Sequence, residues 1–353
     1  MSKQNVLIFF GGCSSEYGVS LSSASAVLLN LDRSRYLPVP VGITRDGDWY
    51  HYSGPVENLL NDSWQETPYC VPALLSPNRS EHCLLLLRQT GVEKVHVDAA
   101  LPILHGKNGE DGTLQGLIEL AGIPLVGCGI LASALCMDKD RAHKLAALTG
   151  VRVPKALTLT GGMSASSLPD TVRTFLQKVG YPLFVKPVKA GSSYGITRVQ
   201  EEAELSAAIS LAFEYDDEII LEEAIPGFEV GCAVLGTERL LTGEVDEIEL
   251  SGGFFDFTEK YTLKTSAIHV PARISPEKAA EIKETAKRIY RALGCSGFAR
   301  VDMFLTPEGE IVFNEVNTIP GFTEHSRYPG MMKAAGFSFS QVLTMLLEDA
   351  GIS

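Results

Sequence analysis

Short apolar runs alternate with helix-like patterns through the N-terminal third of the chain. Apolar runs predict strands at Asn5–Phe10, near Leu37–Ile43 and near Val97–Pro102, and the Ser-rich segment Ser20–Leu31 is typical of a helix. This alternation predicts an α/β domain with a mostly parallel sheet. Tyr52–Asn78 is rich in Pro, Asn, Asp and Ser, which predicts loop with short strands at its edges.

The remaining chain predicts further alternation after a domain boundary near Gly127. Apolar and long side chains recur from Ser133 at helical spacing: Leu135, Met137, Lys139, Ala142 and Leu145. Pro182–Pro187 and Ile196–Val199 predict two strands joined by a glycine-serine hairpin, which would form a mobile flap. Later patterns predict strands at Glu218–Glu223 and Glu229–Leu235, and helices at Glu201–Glu214, Ala279–Leu293 and Phe339–Glu348.

Composition narrows the class of protein. With 353 residues, of which 45% are hydrophobic, the chain can form two or three domains. A formal net charge of -13 disfavours nucleic acid and anionic membranes as partners. The apolar run Val6–Phe10 is too short for a signal peptide or a membrane span. Seven cysteines at irregular spacing form neither a CxxC pair nor a disulfide framework, which favours a reducing cytoplasm.

Two predicted strands near the C-terminus carry oxygen ligands at matching positions. Asp302 lies in one strand, and Glu315 and Asn317 share a face of the next, after a Pro-Glu-Gly turn. Three hard oxygen donors suit Mg²⁺ that also binds phosphate oxygens. Either carboxylate alone would more often be an ordinary strand-end residue. Two carboxylates on apolar strands need compensation, either by a cation or by Arg300.

Two lysines are candidates for binding phosphates. Lys186 emerges from an otherwise apolar strand, whereas Lys139 on a helix is more often simply solvated. The glycine-serine flap after Lys186 offers backbone N–H groups and hydroxyls for phosphates. A Walker loop is not found in the sequence.

These features resemble the ATP-grasp fold and, more narrowly, the D-alanine:D-alanine ligase family along the whole chain. The motifs that carry the resemblance follow in family order: Gly11–Ser20, His105–Gly116, Met137–Lys139, Phe184–Pro187, Gly191–Ser193 and Asn314–Thr323. The resemblance implies an α/β, three-domain ATP-grasp fold with a Rossmann-like N-terminal domain. Residues 1–126 would bind the first substrate, 127–215 would form the central domain with the phosphate flap, and 216–353 would carry the metal site and a lid loop.

By resemblance, ATP lies between the central and C-terminal domains. The residues implied for it are Lys139 and Lys186 on the phosphates, the backbone of Glu223, Ala224 and Ile225 together with Glu222 at the adenine, Glu229 on the ribose, and Phe184 and Phe304 as walls. On sequence alone both phenylalanines fit a plain core role equally well. Asp302, Glu315 and Asn317 would hold two Mg²⁺ ions, which Mn²⁺ can replace.

The family's reaction implies further roles. A first D-alanine is activated as an acyl phosphate, and a second amino acid then attacks it. Glu16, Ser192 and Tyr261 would anchor the first D-alanine, and Arg300 with the Gly321 N–H would stabilise the oxyanion. Ser251–Thr262, with Lys260, would be the lid that excludes water. His105 alone would more often be a capping residue, but its HGKNGEDG context favours a substrate-side role.

The identity of the second substrate depends on few positions. Glu259–Tyr261 and Ser326–Arg327 resemble the vancomycin-resistance D-alanine:D-serine ligases, whereas a D-lactate-adding ligase is disfavoured because the lid keeps Lys260 and Tyr261. An apolar pocket rejects an added hydroxyl weakly, so a hydrogen bond from Arg327, Asp246 or Glu247 is needed to select serine.

The sequence therefore predicts a cytoplasmic, homodimeric ligase that uses D-alanine and D-serine to make D-alanyl-D-serine for peptidoglycan precursors, as in glycopeptide resistance. Two alternatives remain: a housekeeping D-alanine:D-alanine ligase, and a non-catalytic ATP-grasp module.

Overall fold

Three β-sheets organise the chain in the computed structural model, which describes residues 3–66, 68–161, 170–191, 194–250 and 266–352. The strands of each sheet come from one continuous part of the sequence. In chain order these parts are the N-terminal third, a central segment and the C-terminal segment.

The first sheet contains seven strands in the order β6-β5-β4-β3-β2-β1-β7. Its elements are β1 Gln4–Gly11, α1 Tyr17–Asn30, β2 Tyr36–Ile43, β3 Trp49–Tyr52, α2 Glu57–Leu60, β4 Cys70–Leu75, β5 Cys83–Arg88, β6 Gly91–His96, β7 Ala99–Pro102 and α3 Thr113–Leu120. Among the described strands of this sheet, β1 pairs in parallel with β2 and β7, and the strands from β2 to β6 pair antiparallel. The prediction of a mostly parallel sheet is wrong, because short links such as Gln89–Thr90 suit a hairpin and a parallel pair needs a long crossover.

The second sheet has four antiparallel strands in the order β10-β9-β11-β8. Its segment contains α4 Ile130–Met137, α5 Lys139–Ala147, β8 Ala156–Thr160, α6 Asp170–Val179, β9 Leu183–Pro187, β10 Thr197–Val199, α7 Glu202–Phe213 and β11 Glu218–Glu223. The predicted antiparallel pair β9 and β10 is confirmed. The helix predicted from Ser133 is instead two helices, because Asp138 adopts φ -90 and ψ 100 and its carboxylate accepts the N–H of Arg141 as the N-cap of α5.

The third sheet is antiparallel and follows the order β15-β14-β12-β16-β17, with β13 paired to β12. Its elements are β12 Phe228–Leu235, β13 Leu241–Thr242, β14 Asp246–Leu250, β15 Ser266–His269, α8 Pro276–Ala292, β16 Phe298–Leu305, β17 Ile311–Asn317, α9 Arg327–Ala334 and α10 Phe339–Asp349. The predicted hairpin of β16 and β17 is confirmed, with Asp302 opposite Glu315.

One hydrophobic core joins the two ends of the chain. Side chains of β1 and α1 pack in the same buried cluster as Phe298, Phe322, Tyr328 and the inner face of α10. Arg35, after α1, also reaches Glu348 in α10 with an N–O distance of 2.8 Å. This packing brings the loop between β17 and α9 against the N-terminal segment. Within the described residues, no helix is both long and apolar enough to cross a bilayer.

Candidate active site

A cavity of about 530 Å³ opens where the three segments meet, a volume that suits small-molecule substrates. Several predicted site residues lie along its wall: Glu16, His105, Lys139, Arg300, Glu315, Asn317, Gly321, Ser326 and Arg327. The structure thus gathers residues from the start, the middle and the end of the sequence around one space.

The predicted oxygen ligands lie together on the hairpin of β16 and β17. Asp302 and Glu315 are register partners, and the Asn317 amide nitrogen donates to Asp302 Oδ2 at 2.9 Å. Asp302 is 1% exposed, so its charge needs a compensating cation. Two carboxylates and an amide oxygen are the donor set that Mg²⁺ prefers, and the residues therefore fit the predicted metal site.

Two arginines supply positive charge to Asp302 in this structure. Arg300 Nε and Nη2 donate to the Asp302 carboxylate at 2.7–3.0 Å. Arg327 Nη2 lies 3.4 Å from Asp302 Oδ1. The sequence left a cation or Arg300 as alternative partners of Asp302, and Arg300 is the partner seen here. It also lines the cavity, where it can face a developing oxyanion.

Arg327 is the first residue of α9 and forms a buried ion-pair network. Its Nε and Nη2 donate to Asp246 at 2.7 and 2.9 Å, and its Nη1 donates to Glu229 at 2.7 Å. Burial works against the guanidinium charge, but Asp246 and then Asp302 keep the pKa of Arg327 above its ordinary value. Glu247, the other carboxylate considered for the serine hydroxyl, pairs with Arg273 instead.

The two predicted phosphate lysines are both largely buried. Lys139 begins α5, and its Nζ donates to the Ala190 carbonyl at 2.8 Å, so it is not a solvated surface lysine. Lys186 lies in β9, and its Nζ is 2.5 Å from Glu222 Oε2 in β11. Both ammonium groups are therefore held by acceptors that a more strongly charged ligand could replace.

The predicted adenine and ribose residues lie on paired strands of the second and third sheets. Phe184 is the register partner of Glu222, and Phe304 is the register partner of Glu229. Both phenylalanines are only partly buried, and their role as walls of the adenine site stays a prediction.

The last residue of β11 and the two residues after it contain the backbone predicted to bind the adenine edge. Glu223, Ala224 and Ile225 are all half-buried there. The side chain of Glu223 is engaged elsewhere, by the backbone N–H of Lys155 at 3.1 Å and by Arg152 at 3.4 Å. Any contact of this segment with a base therefore comes from the main chain or the apolar side chains.

Glu16 lies at the start of α1, with its carboxylate next to Gly106. It occupies the N-cap position of that helix, and its N–H donates to Ser14 Oγ at 3.2 Å. A Cβ at Gly106 would lie 2.6 Å from Glu16 Oε2, and the φ of Gly106 is +72°. Only glycine fits at this position, which explains the glycine after His105.

His105 fixes the loop that contains Gly321. Burial lowers the pKa of His105, so the ring is neutral. Its Nδ1–H donates to the Ile319 carbonyl at 2.8 Å, and its Nε2 accepts from Ser23 Oγ at 3.1 Å. Ser23 Oγ in turn accepts the Phe322 N–H at 3.1 Å. Both ring nitrogens are engaged inside the protein here, and a direct substrate contact of His105 stays a prediction.

Glu110 is a site residue to which sequence reasoning assigned no role, although it lies within the HGKNGEDG motif. Its two carboxyl oxygens accept the N–H of Gly106 at 2.8 Å and the N–H of Ile319 at 3.1 Å. Burial, and then the charge of Glu16, raise the pKa of Glu110 to about 8. Glu110 therefore joins the two loops that carry His105 and Gly321, and does so mostly in its protonated form at neutral pH.

This pKa predicts a distinct pH dependence of stability. Between pH 4.5, the ordinary value for glutamate, and pH 8, the unfolded chain releases the Glu110 proton and the folded chain keeps it. Stability then falls as pH rises through this window. Glu110→Gln should remove that fall, so the Tm of the variant relative to the parent should increase from pH 5 to pH 8 and level off above it. Parallel Tm curves, measured by thermal unfolding, would contradict the assignment.

Three predicted residues lie outside the described residues: Ser192, Lys260 and Tyr261. The same holds for the predicted lid, Ser251–Thr262. Their roles stay predictions. Ser326 is described, and its Oγ contacts the Thr323 N–H at 3.1 Å and the Thr323 hydroxyl at 2.8 Å.

Comparisons with known proteins match most of the chain. A family model described as "D-ala D-ala ligase N-terminus" matches residues 5–128, and one described as "D-ala D-ala ligase C-terminus" matches residues 145–348. Together they cover most of the chain, and the predicted ATP-grasp fold is confirmed.

Two of the similar proteins are named for different second substrates. A putative D-alanine–D-lactate ligase of Streptomyces coelicolor is 45% identical, covering 99% of this chain and 98% of its own length. Vancomycin B-type resistance protein VanB of Enterococcus faecalis is 44% identical, with 99% of both chains covered. The crystal structure of the VanG D-Ala:D-Ser ligase from Enterococcus faecalis is 56% identical, with a TM-score of 0.89 and coverage of 99% of this chain and 100% of that one.

Proposed function

The chain belongs to the D-alanine–D-alanine ligase family, and we propose that this ATP-dependent ligase joins D-alanine to D-serine. The product would be D-alanyl-D-serine for peptidoglycan precursors that support glycopeptide resistance. The similarity to the VanG D-Ala:D-Ser ligase supports this choice among the second substrates found in the relatives.

In the first step, the carboxylate of D-alanine attacks the γ-phosphorus of ATP, and ADP leaves with the electrons of the broken P–O bond. Lys139 and Lys186 neutralise charge on the phosphates, and Glu16 holds the ammonium group of the substrate. Mg²⁺, when bound by Asp302, Glu315 and Asn317, supplies further charge neutralisation to the phosphates.

In the second step, the amine of the second amino acid attacks the acyl carbon, and phosphate leaves. The guanidinium of Arg300 and the backbone of Gly321 lie on the cavity wall, where they can stabilise the oxyanion. No residue forms a covalent intermediate in this scheme. His105, Ser23 and Glu110 keep the Gly321 loop in place through hydrogen bonds to Ile319 and Phe322.

The observation that carries the choice of serine is the polar wall formed by Arg327. Its three hydrogen bonds to Asp246 and Glu229 engage three of the five guanidinium N–H groups. The side chain also lines the cavity beside Ser326. A wall built to hydrogen-bond a hydroxyl discriminates against the substrate that lacks one far better than an apolar wall does.

Second-substrate kinetics test the proposal. The kcat/KM for D-serine at the second position should exceed that for D-alanine at neutral pH. Arg327→Met should lower kcat/KM for D-serine by about 10- to 100-fold and affect D-alanine less, because both substrates lose the ion pairs of Arg327 but only D-serine has a hydroxyl that loses a hydrogen-bond partner.

Lys333→Met is the matched control, since Lys333 is an exposed cation on the same helix. Thermal unfolding would verify that Arg327→Met is folded. If D-alanine equals D-serine as second substrate, the enzyme is a D-alanine:D-alanine ligase. If no D-amino acid stimulates ADP release, it is a nucleotide-binding module.

We also propose that the enzyme acts as a homodimer in the cytoplasm. The apolar side chains of Leu74 and Leu87 are exposed on the first sheet, which supports an interface with a second copy of the chain there. All seven cysteines are free thiols, which supports a reducing compartment.

A further inference from the structure

A buried histidine that the reaction scheme does not use lies next to the partner of Lys186. His143 in α5 is 4% exposed, and Glu222 in β11 is 1% exposed. His143 Nδ1 lies 3.5 Å from Glu222 Oε1, while Lys186 Nζ lies 2.5 Å from Glu222 Oε2. The two oxygens of one carboxylate thus face two different basic groups.

The contacts of the ring indicate its protonation state. His143 Nε2 lies 2.7 Å from the Asn314 carbonyl oxygen, which can only accept, so Nε2 carries a hydrogen. A neutral ring would then present a lone pair from Nδ1 to the Glu222 carboxylate. Both Nδ1 and Glu222 Oε1 are buried and lack a hydrogen-bond partner among the described residues. A second proton on the ring would place a positive charge beside Glu222 Oε1 at ion-pair distance, and would leave no lone pair of Nδ1 facing the carboxylate.

Nucleotide binding would change which cation neutralises Glu222. For Lys186 to bind a phosphate, its ammonium group must turn from Glu222 toward the ligand. That movement would leave a buried carboxylate without its closest cation, at a cost that weakens nucleotide binding. A second cation that stays on Glu222 removes most of this cost.

We propose that His143 is a positioning residue which, as an imidazolium, retains Glu222 so that Lys186 is released to the phosphates of ATP. The inference deepens the proposed function and depends on its assignment of Lys186 to the nucleotide. His143 lies one helical turn after Lys139, so α5 presents both residues on one face. The hydrogen bond from His143 to Asn314, the neighbour of Glu315, also connects His143 to β17, which carries two of the predicted metal ligands.

A double-mutant cycle tests the proposal through ADP release, with D-alanine supplied as both amino acids. His143→Gln keeps a donor for Asn314 but removes the charge, and should raise the KM for ATP about tenfold with a smaller change in kcat. In a Glu222→Gln background, which has no carboxylate to hold Lys186, the same substitution should change the KM less than about twofold. Lys144→Gln, an exposed neighbour on α5, is the matched control and should leave the KM unchanged.

Equal losses in both backgrounds would overturn the proposal, because His143 would then act through Asn314 alone. An unchanged KM in His143→Gln would overturn it as well. Nitrogen-15 NMR of the histidine rings in the parent enzyme provides a second measurement that needs no variant. Two protonated nitrogens on His143 at neutral pH are expected, and one would refute the imidazolium. These measurements do not depend on the second substrate, so they test the role of His143 even if the enzyme does not prefer D-serine.

Discussion

Lys186→Met should lower D-alanine-dependent ADP release by about 1,000-fold, the scale seen when one preorganised charge-stabilising group is removed from an active site. Lys186 is a largely buried cation on a strand, and its position is fixed by Glu222. Methionine keeps most of the apolar stem and removes only the ammonium group. The loss should therefore appear in phosphoryl transfer, measured by coupled ADP detection at saturating D-alanine.

The matched control is Lys178→Met, which removes an exposed lysine from α6 in the same segment. It should retain parental turnover. Thermal unfolding of Lys186→Met should remain cooperative, since His143 still faces the Glu222 carboxylate. Parental turnover in Lys186→Met would refute the assignment of this lysine to the phosphates.

Glu315→Gln should lower turnover at least about 100-fold and raise the Mg²⁺ concentration needed for half-maximal activity. Glu315 and Asp302 face each other across β16 and β17, so the substitution removes one of two carboxylates from the predicted metal site. Changes in the second shell of metal sites alone cost about 10- to 100-fold, and the loss of a ligand should cost at least as much. Titration of activity with MgCl₂ after removal of metal by EDTA measures both effects.

Glu308→Gln provides a control on the same hairpin, because Glu308 is an exposed residue of the turn between the two strands. Its Mg²⁺ dependence should match that of the parent. An unchanged Mg²⁺ dependence in Glu315→Gln would contradict the assignment of Glu315 as a metal ligand. EDTA should stop the parent enzyme, and added Mg²⁺ or Mn²⁺ should restore it.

Local patterns predicted the strands that carry the site well. The apolar runs located β1, β9, β11 and the pair β16 and β17. Period-two geometry also placed Asp302, Glu315 and Asn317 together, and the register of the hairpin agrees with that placement. These inferences depend only on which residues alternate along a strand, a property that the sequence contains directly.

Sequence patterns were less reliable where the same pattern was compatible with two different structures. Helical spacing continued across Asp138, yet the structure divides the helix there, because an N-cap carboxylate stabilises a new helix start. The first sheet was expected to be mostly parallel, but β2 to β6 form an antiparallel series. Apolar runs predict the strands themselves and carry little information on their direction.

By itself, the sequence determined the reaction class, through short local motifs such as Phe184–Pro187 and Asn314–Thr323 that resemble those of the D-alanine:D-alanine ligase family. Only the tertiary structure decided which charges pair with which. Glu110 reaches Ile319 across 209 residues, and Arg327 at the start of α9 pairs with Asp246 and Glu229 on two strands. Buried ionisable groups must be paired, but packing between distant segments chooses the partner, and no local pattern records that choice.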